Sequence, residues 1–312
     1  MSWIPVALSA YLLLAIANLL DKFLVDNVIK NSRAYAFVAC ILGSIIFLVA
    51  PWFLEWPGWA YFGINLLNGS IFAIALWMLY EALRRGEASR ILVFIGGITP
   101  VFSLFFSTLF FKEQFNYSQW LGIGALLVGV FIIAFLPTER SFLSRILQKL
   151  KFVQSEKTGG LWIALFSAFA YSVYFLGTKY AYAGQESFVS AFIWTRLGAS
   201  LFVLLFLFNK KNRQAIAKLF TKSSPNNNKF LVIFNQGLGS IGFILQNYAV
   251  FLGSVVLVNA LQGVQYAFLL VISAVLALMA PKLLKETFSF RIIIQKTAAV
   301  LVIALGFYFI TI

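Results

Sequence analysis

The sequence predicts an all-α, polytopic membrane protein: ten transmembrane helices as two inverted five-helix repeats. Three observations predict it. Of 312 residues, 62% are apolar and only 11% charged, against about 25% charged in soluble domains. A soluble fold of that composition would expose large apolar patches. Second, ten stretches are long and apolar enough to span a bilayer, whose core of about 30 Å takes about twenty helical residues. Third, a helix pair with its turn and a charged exit occurs in each half: Tyr80 to Lys112-Glu113, then Gln246-Asn247-Tyr248-Ala249 to Lys285-Glu286.

In chain order the spans are 3–21, 34–54, 59–83, 88–111, 118–136, 159–182, 187–208, 229–251, 254–280 and 291–311. Five precede the polar stretch 138–158 and five follow it, which divides the chain into 1–137, a linker 138–158, and 159–312. An odd number of crossings per half means that a duplicated unit is inserted upside down, a recurring plan of secondary transporters. The N-terminus, Met-Ser-Trp-Ile-Pro, has no basic n-region and no small-residue cleavage site follows, so the first stretch is expected to be a retained span. Lys and Arg collect after spans 1, 3, 5, 7 and 9, while the other loops and both termini hold only Lys112. By the positive-inside rule, both termini are expected on the non-cytoplasmic side. In the linker, Phe142, Leu143, Ile146, Leu147 and Leu150 share one helical face and Arg145 and Lys149 another. That pattern suits a helix in the headgroup region as well as a solvated linker; 213–220 is a weaker version.

Composition also excludes. With no histidine, the usual metal ligand and the usual general base near neutral pH are missing. The one cysteine, Cys40, rules out an intrachain disulfide. No Gly-x-x-x-x-Gly-Lys-Ser/Thr run is present, so the chain is not expected to drive transport with ATP by itself. The net charge of +14 is spread over loops rather than gathered on one face, so nucleic acid is not the expected partner. Neither an enzyme nor a cofactor or metal is expected.

Charges inside a bilayer are costly and point to function. Asp21-Lys22 close the first span, Lys179 lies near the end of the sixth, Glu81 near the end of the third, and Arg196 deep in the seventh. Arg196 could attract an anionic group or be held by backbone carbonyls. Lys22 and Lys179 occupy matching places in the two halves and could reach a shared middle or snorkel to the interface; Asp21 reads as a helix-end charge. Polar stripes run down four helices: Tyr11, Asn18 and Lys22; Thr99, Ser103 and Ser107; Ser167, Tyr171, Tyr174 and Thr178; and Asn259, Gln262 and Tyr266, with Gln265 alongside. They could line one cavity or form interhelical hydrogen bonds, each worth about 0.6 kcal/mol. Gly122, Gly124, Ala125 and Gly129, and Gly237, Gly239 and Gly242, read as close-packing surfaces. Pro100 is expected to bend the fourth span.

Taken together, Tyr80, Ala82, Leu83, Ser89, Pro100, Phe102, Glu113, Gly122 and Gly129, and more faintly Tyr248, Ala249, Gly253, Glu286 and Gly306, resemble the EamA type of the drug/metabolite transporter superfamily. The resemblance implies a basket of ten helices around a cavity lined by helices 1, 3, 4, 6, 8 and 9. It also implies movement of small metabolites without ATP across the cell membrane, here the cytoplasmic membrane of a bacterial cell. The expected function is secondary transport by alternating access. Tyr11, Asn18, Lys22, Tyr80, Glu81, Tyr171, Tyr174, Lys179, Arg196, Gln246, Asn247, Asn259 and Gln262 are the candidate substrate contacts. Glu81 is the candidate proton-coupling group, and the small-molecule substrate, protons and lipid bilayer are the expected partners. The alternatives are a lipid-carrier flippase and a non-transporting membrane scaffold or sensor.

Overall fold

The computed structural model describes residues 3–86, 88–134, 157–220, 226–279 and 290–311. Most of the linker 138–158, with its amphipathic stretch 141–152, and Lys285-Glu286 lie outside the described residues.

Every regular element among the described residues is helical. The principal helices of the first half are α1 (Trp3–Asn27), α2 (Ser32–Gly43, continued by a 3-10 turn Ser44–Val49 and Ala50–Phe53), α3 (Gly58–Arg85), α4 (Ala88–Phe106, ending in a π-turn Ser107–Phe111) and α5 (Tyr117–Ala134). The second half supplies α6 (Lys157–Ala183), α7 (Phe188–Leu204, continued by Leu205–Phe208), α8 (Asn226–Leu252), α9 (Val255–Ala260 and Gln262–Met279) and α10 (Phe290–Thr311). A further helix, Lys210–Phe220, follows α7 and carries Lys210, Lys211, Arg213 and Lys218. Six stretches among the described residues are long and apolar enough to cross a membrane: Trp3–Val25, Ser32–Phe53, Gly58–Arg85, Phe94–Phe111, Gly159–Ala183 and Phe188–Phe208.

Local chemistry sets the helix ends. Side chains of Asn31, Ser187 and Ser254 accept from backbone N–H groups of the turns they open. Asn116 and Gln119 exchange side-chain-to-backbone bonds at 2.7 and 3.0 Å, a reciprocal cap for α5. Lys112, in the left-handed region at φ 51°, stops the helical run after α4. Asp21 lies six residues inside α1 rather than at its end.

The distribution of side chains is that of a protein dissolved in lipid. Leu48, Leu67, Phe105, Phe110, Val271 and Leu301 are exposed, while Asn65, Asn68, Asn235, Gln246, Asn247 and Asn259 are buried. A bilayer accepts apolar surface outside but leaves buried polar groups to pair among themselves. Trp56, Trp59, Phe62 and Trp194 cluster where α3 begins, and Trp194 donates to the Glu55 carbonyl at 2.9 Å; aromatic rings of this kind favour the membrane–water boundary.

Contacts across the halves run in register and give helix directions. Asn68 meets Thr178 and Ser167 meets Ala75, so α3 and α6 are antiparallel. Gly242 lies against Ala10 and Asn235 donates to Asp21, so α1 and α8 are antiparallel too. Ser118 donates to Phe309 O while Gly129 abuts Ala299, which makes α5 and α10 antiparallel. Within a half the ends coincide: Lys22 Nζ of α1 donates to the carbonyls of Leu83 and Gly86 at the end of α3, at 2.6 and 2.9 Å. Lys179 Nζ of α6 donates to Val250 and Gly253 at the end of α8, at 3.1 and 2.7 Å. Each lysine thereby satisfies carbonyls that a helix end leaves open.

The expected close-packing glycines differ among themselves. A Cβ on Gly129, Gly242 or Gly306 would press on a neighbouring helix, whereas Gly124 and Gly237 have nothing within 4 Å. A close backbone approach between the halves was not among those expected from the sequence: a Cβ on Gly69 would strike the backbone of Thr195, and one on Gly198 the backbone of Leu66, which seats α3 directly on α7.

Candidate functional site

Two adjoining cavities of about 90 and 70 Å³ lie between the halves. Leu14, Asn18, Leu79, Tyr171 and Phe243 border both. The larger is walled by Asp21 and Asn18 of α1, Phe72 and Tyr80 of α3, Tyr171 of α6, Arg196 of α7, and Asn235, Gln236 and Ser240 of α8. The smaller is walled by Thr99 of α4, Gln246 of α8, and Gln262, Gln265 and Tyr266 of α9.

Asp21 is the acidic residue on these walls. Its Oδ1 accepts from the Tyr35 hydroxyl at 2.5 Å and from Asn235 Nδ2 at 2.7 Å, with Gln236 Nε2 at 3.5 Å. Gln236 also donates to the Tyr35 oxygen at 2.9 Å, and Tyr80 packs edge-on against Tyr35 with centroids 4.5 Å apart. Helices α1, α2, α3 and α8 thus converge on one carboxyl.

Arg196 is held by aromatic faces instead. Its guanidinium lies 4.6, 4.8 and 4.4 Å from the ring centres of Phe72, Phe192 and Phe243. The residue is 6% exposed, and the ion pairs among the described residues, Glu81 with Arg84 and with Arg85, do not involve it. The rings stabilise the cation by their quadrupoles but offer no hydrogen-bond acceptors, so its N–H groups remain available to whatever enters the cavity.

The second cavity has a related shortage. Gln262 Oε1 and both amide atoms of Gln265 are buried without partners, as is Asn235 Oδ1 on the first cavity. An orphaned buried polar atom costs roughly 1–3 kcal/mol, so these atoms call for water or a polar solute.

The remaining candidates divide clearly. Asn18, Tyr80, Tyr171, Arg196, Gln246 and Gln262 line the cavities. Tyr11, Tyr174, Asn247 and Asn259 border neither. Tyr11 donates to Val258 O at 2.5 Å, Tyr174 to Asn247 Oδ1 at 2.7 Å, and Asn259 Nδ2 to Ser103 Oγ at 2.9 Å. The stripes on α4 and α6 are in large part used up in such bonds, including Ser103 with Ser172 at 3.1 Å. Lys22 and Lys179 cap helix ends. Glu81 lies off both cavities, ion-paired with Arg84 at 2.7 Å and Arg85 at 2.6 Å and accepting from Ser32 at 2.6 Å.

Sequence reasoning passed over Asn235, Gln236, Phe72 and Phe243, and took Asp21 for a helix-end charge. The adjacent amides Asn235-Gln236 inside an apolar span were the available signal; the phenylalanines gave none among 35.

Three likenesses bear on identity. Residues 1–135 match the EamA-like transporter family. Over 148 residues the chain is 27% identical to "Uncharacterized transporter YdfC" of Bacillus subtilis (strain 168), a match that spans 47% of this chain and 42% of that protein. The chain therefore spans less than half the length of that relative. A solved structure described only as "Crystal structure of protein" superposes with a TM-score of 0.64 over 98% of this chain and 96% of its own, at 16% identity, a likeness of fold. The apolar helices agree with the family match, and over residues 1–135 the chain is similar to the EamA-like transporter family, the EamA type of the drug/metabolite transporter superfamily.

Proposed function

We propose that the protein is a secondary transporter of small polar solutes, built as ten membrane helices in two inverted five-helix repeats that open a central cavity alternately to each side. The observation that carries this reading is the pair of adjoining cavities between the halves, walled by Arg196, Asp21 and amides with unmet hydrogen bonds. A bilayer-embedded scaffold has no use for such a wet centre, since each unpaired group lowers its stability. The antiparallel pairs α1 with α8, α3 with α6 and α5 with α10 support inversion: α1 and α3 run one way, α6 and α8 the other. The matching lysine caps support duplication of the unit.

In this reading Asn18, Tyr80, Tyr171, Gln246 and Gln262 contact the solute and Arg196 supplies positive charge. Glu81, committed to two arginines, holds the turn after α3, which leaves Asp21 as the carboxyl on the cavity wall. The distribution of Lys and Arg supports a cytoplasmic-membrane setting with both termini on the far side. The charged and amide groups on the walls favour a polar solute over a lipid carrier. The test is uptake into proteoliposomes containing the purified chain. Solute counterflow that disappears in Arg196→Gln is expected; counterflow in that variant equal to the parent would remove Arg196 from the pathway, and none for any polar solute would refute transport.

A further inference from the structure

The cavity holds two opposite charges that do not meet. Arg196 rests on Phe72 of α3 and Phe243 of α8. Asp21 rests on Asn235 and Gln236 of α8, beneath the Tyr35–Tyr80 pair on the α3 side. From Phe72 to Tyr80 along α3, and from Phe243 to Asn235 along α8, is eight residues, about 12 Å at 1.5 Å per residue. Both walls therefore give the same separation, and the space between is part of one cavity. Salt screens little there. A lone anion on Arg196 would leave Asp21 unmatched, and a lone cation the reverse.

We propose that the preferred solute is an extended zwitterion, an ω-amino carboxylate or its chemical equivalent, with its anionic group on the Arg196 guanidinium and its cationic group at Asp21. Its carboxylate takes the N–H groups that the phenylalanine cage leaves unused, in the paired geometry that guanidinium and carboxylate share. Its methylene chain lies along Leu14, Leu76 and Leu79, which line the stretch between. An α-amino acid with an uncharged side chain, whose two charged groups share one carbon, cannot reach both ends. This inference deepens the transport reading and rests on it for the site's purpose, though not for its chemistry.

The test measures affinity of the purified full chain, by calorimetry and by melting shift, for 4-aminobutyrate and 6-aminohexanoate against glycine, hexanoate and hexylamine. At least one of the two ω-amino acids should bind tenfold or more tighter than each of the three controls. Arg196→Gln should reduce that affinity to the level of hexylamine, and Asp21→Asn to that of hexanoate. Arg196→Lys should keep the preference in part, which a purely structural arginine would not require. Equal binding of glycine or of the single-charge compounds, an unchanged ratio in both variants, or no binding of any member overturns the proposal. The two readings fail separately. Charge- and length-dependent binding without counterflow in proteoliposomes would sink transport alone, and counterflow of a solute whose affinity ignores both charges would sink this inference alone.

Discussion

A guanidinium buried among three phenylalanines without a carboxylate costs the fold stability, because desolvation of the charge outweighs what the rings return. Replacing Arg196 by Met, close in volume and free of charge, should leave the melting temperature unchanged or raise it while abolishing solute counterflow. A drop of several degrees would instead make Arg196 a structural post. Tyr11 gives the opposite expectation. Its hydroxyl ties α1 to α9 through Val258 O, so Tyr11→Phe should cost about 1 kcal/mol of stability and spare affinity for solute, as read by denaturation and binding on the same sample. Asp21 shows why some of the site could not be read from sequence. Hydropathy ends the first span at the Asp21-Lys22 pair, yet the helix continues to Asn27 because Tyr35, Asn235 and Gln236 come from other helices to meet the carboxyl. Two of these partners, Asn235 and Gln236, lie more than 200 positions from Asp21 and leave no local mark.

At the level of helices, packing depends on a few places where a side chain is missing. Gly69→Ala should destabilise by roughly 1–3 kcal/mol, because its Cβ meets backbone rather than a movable side chain. Gly124→Ala, with open space around it, should gain up to about 1 kcal/mol from helix propensity; thermal unfolding of the two variants separates them. The small-residue stripe on α5 was legible as a stripe, but which of its members touch a neighbour depends on the rotation of the helix, which sequence does not give. The six membrane-length stretches among the described residues, by contrast, were legible because each must satisfy its backbone internally and cover itself with apolar side chains whatever its neighbours do. The lysine caps lie between. Matching positions of Lys22 and Lys179 were visible, while their targets, the open carbonyls of α3 and α8, needed the tertiary arrangement. Lys179→Met should loosen the turn between α8 and α9, seen as faster amide exchange at Phe251–Ser254, with little effect on solute affinity; a loss of affinity as large as that of Arg196→Gln would place Lys179 in the site.

For the molecule as a whole, the proposed transport needs a cavity between two oppositely inserted halves that opens to each side in turn. Topology follows from the same charge pattern that flanks the spans: a reporter fused at the C-terminus should be active only outside the cytoplasm. The cavity itself is tested most directly through Ser240, which lines it. With Cys40, the chain's one cysteine, replaced by Ala, a Ser240→Cys variant in sealed vesicles of known orientation can be exposed to a membrane-impermeant thiol reagent from either side. The account predicts modification from both faces, slowed by bound solute from both. Reaction from neither face, or from one face alone however long the exposure, would contradict it.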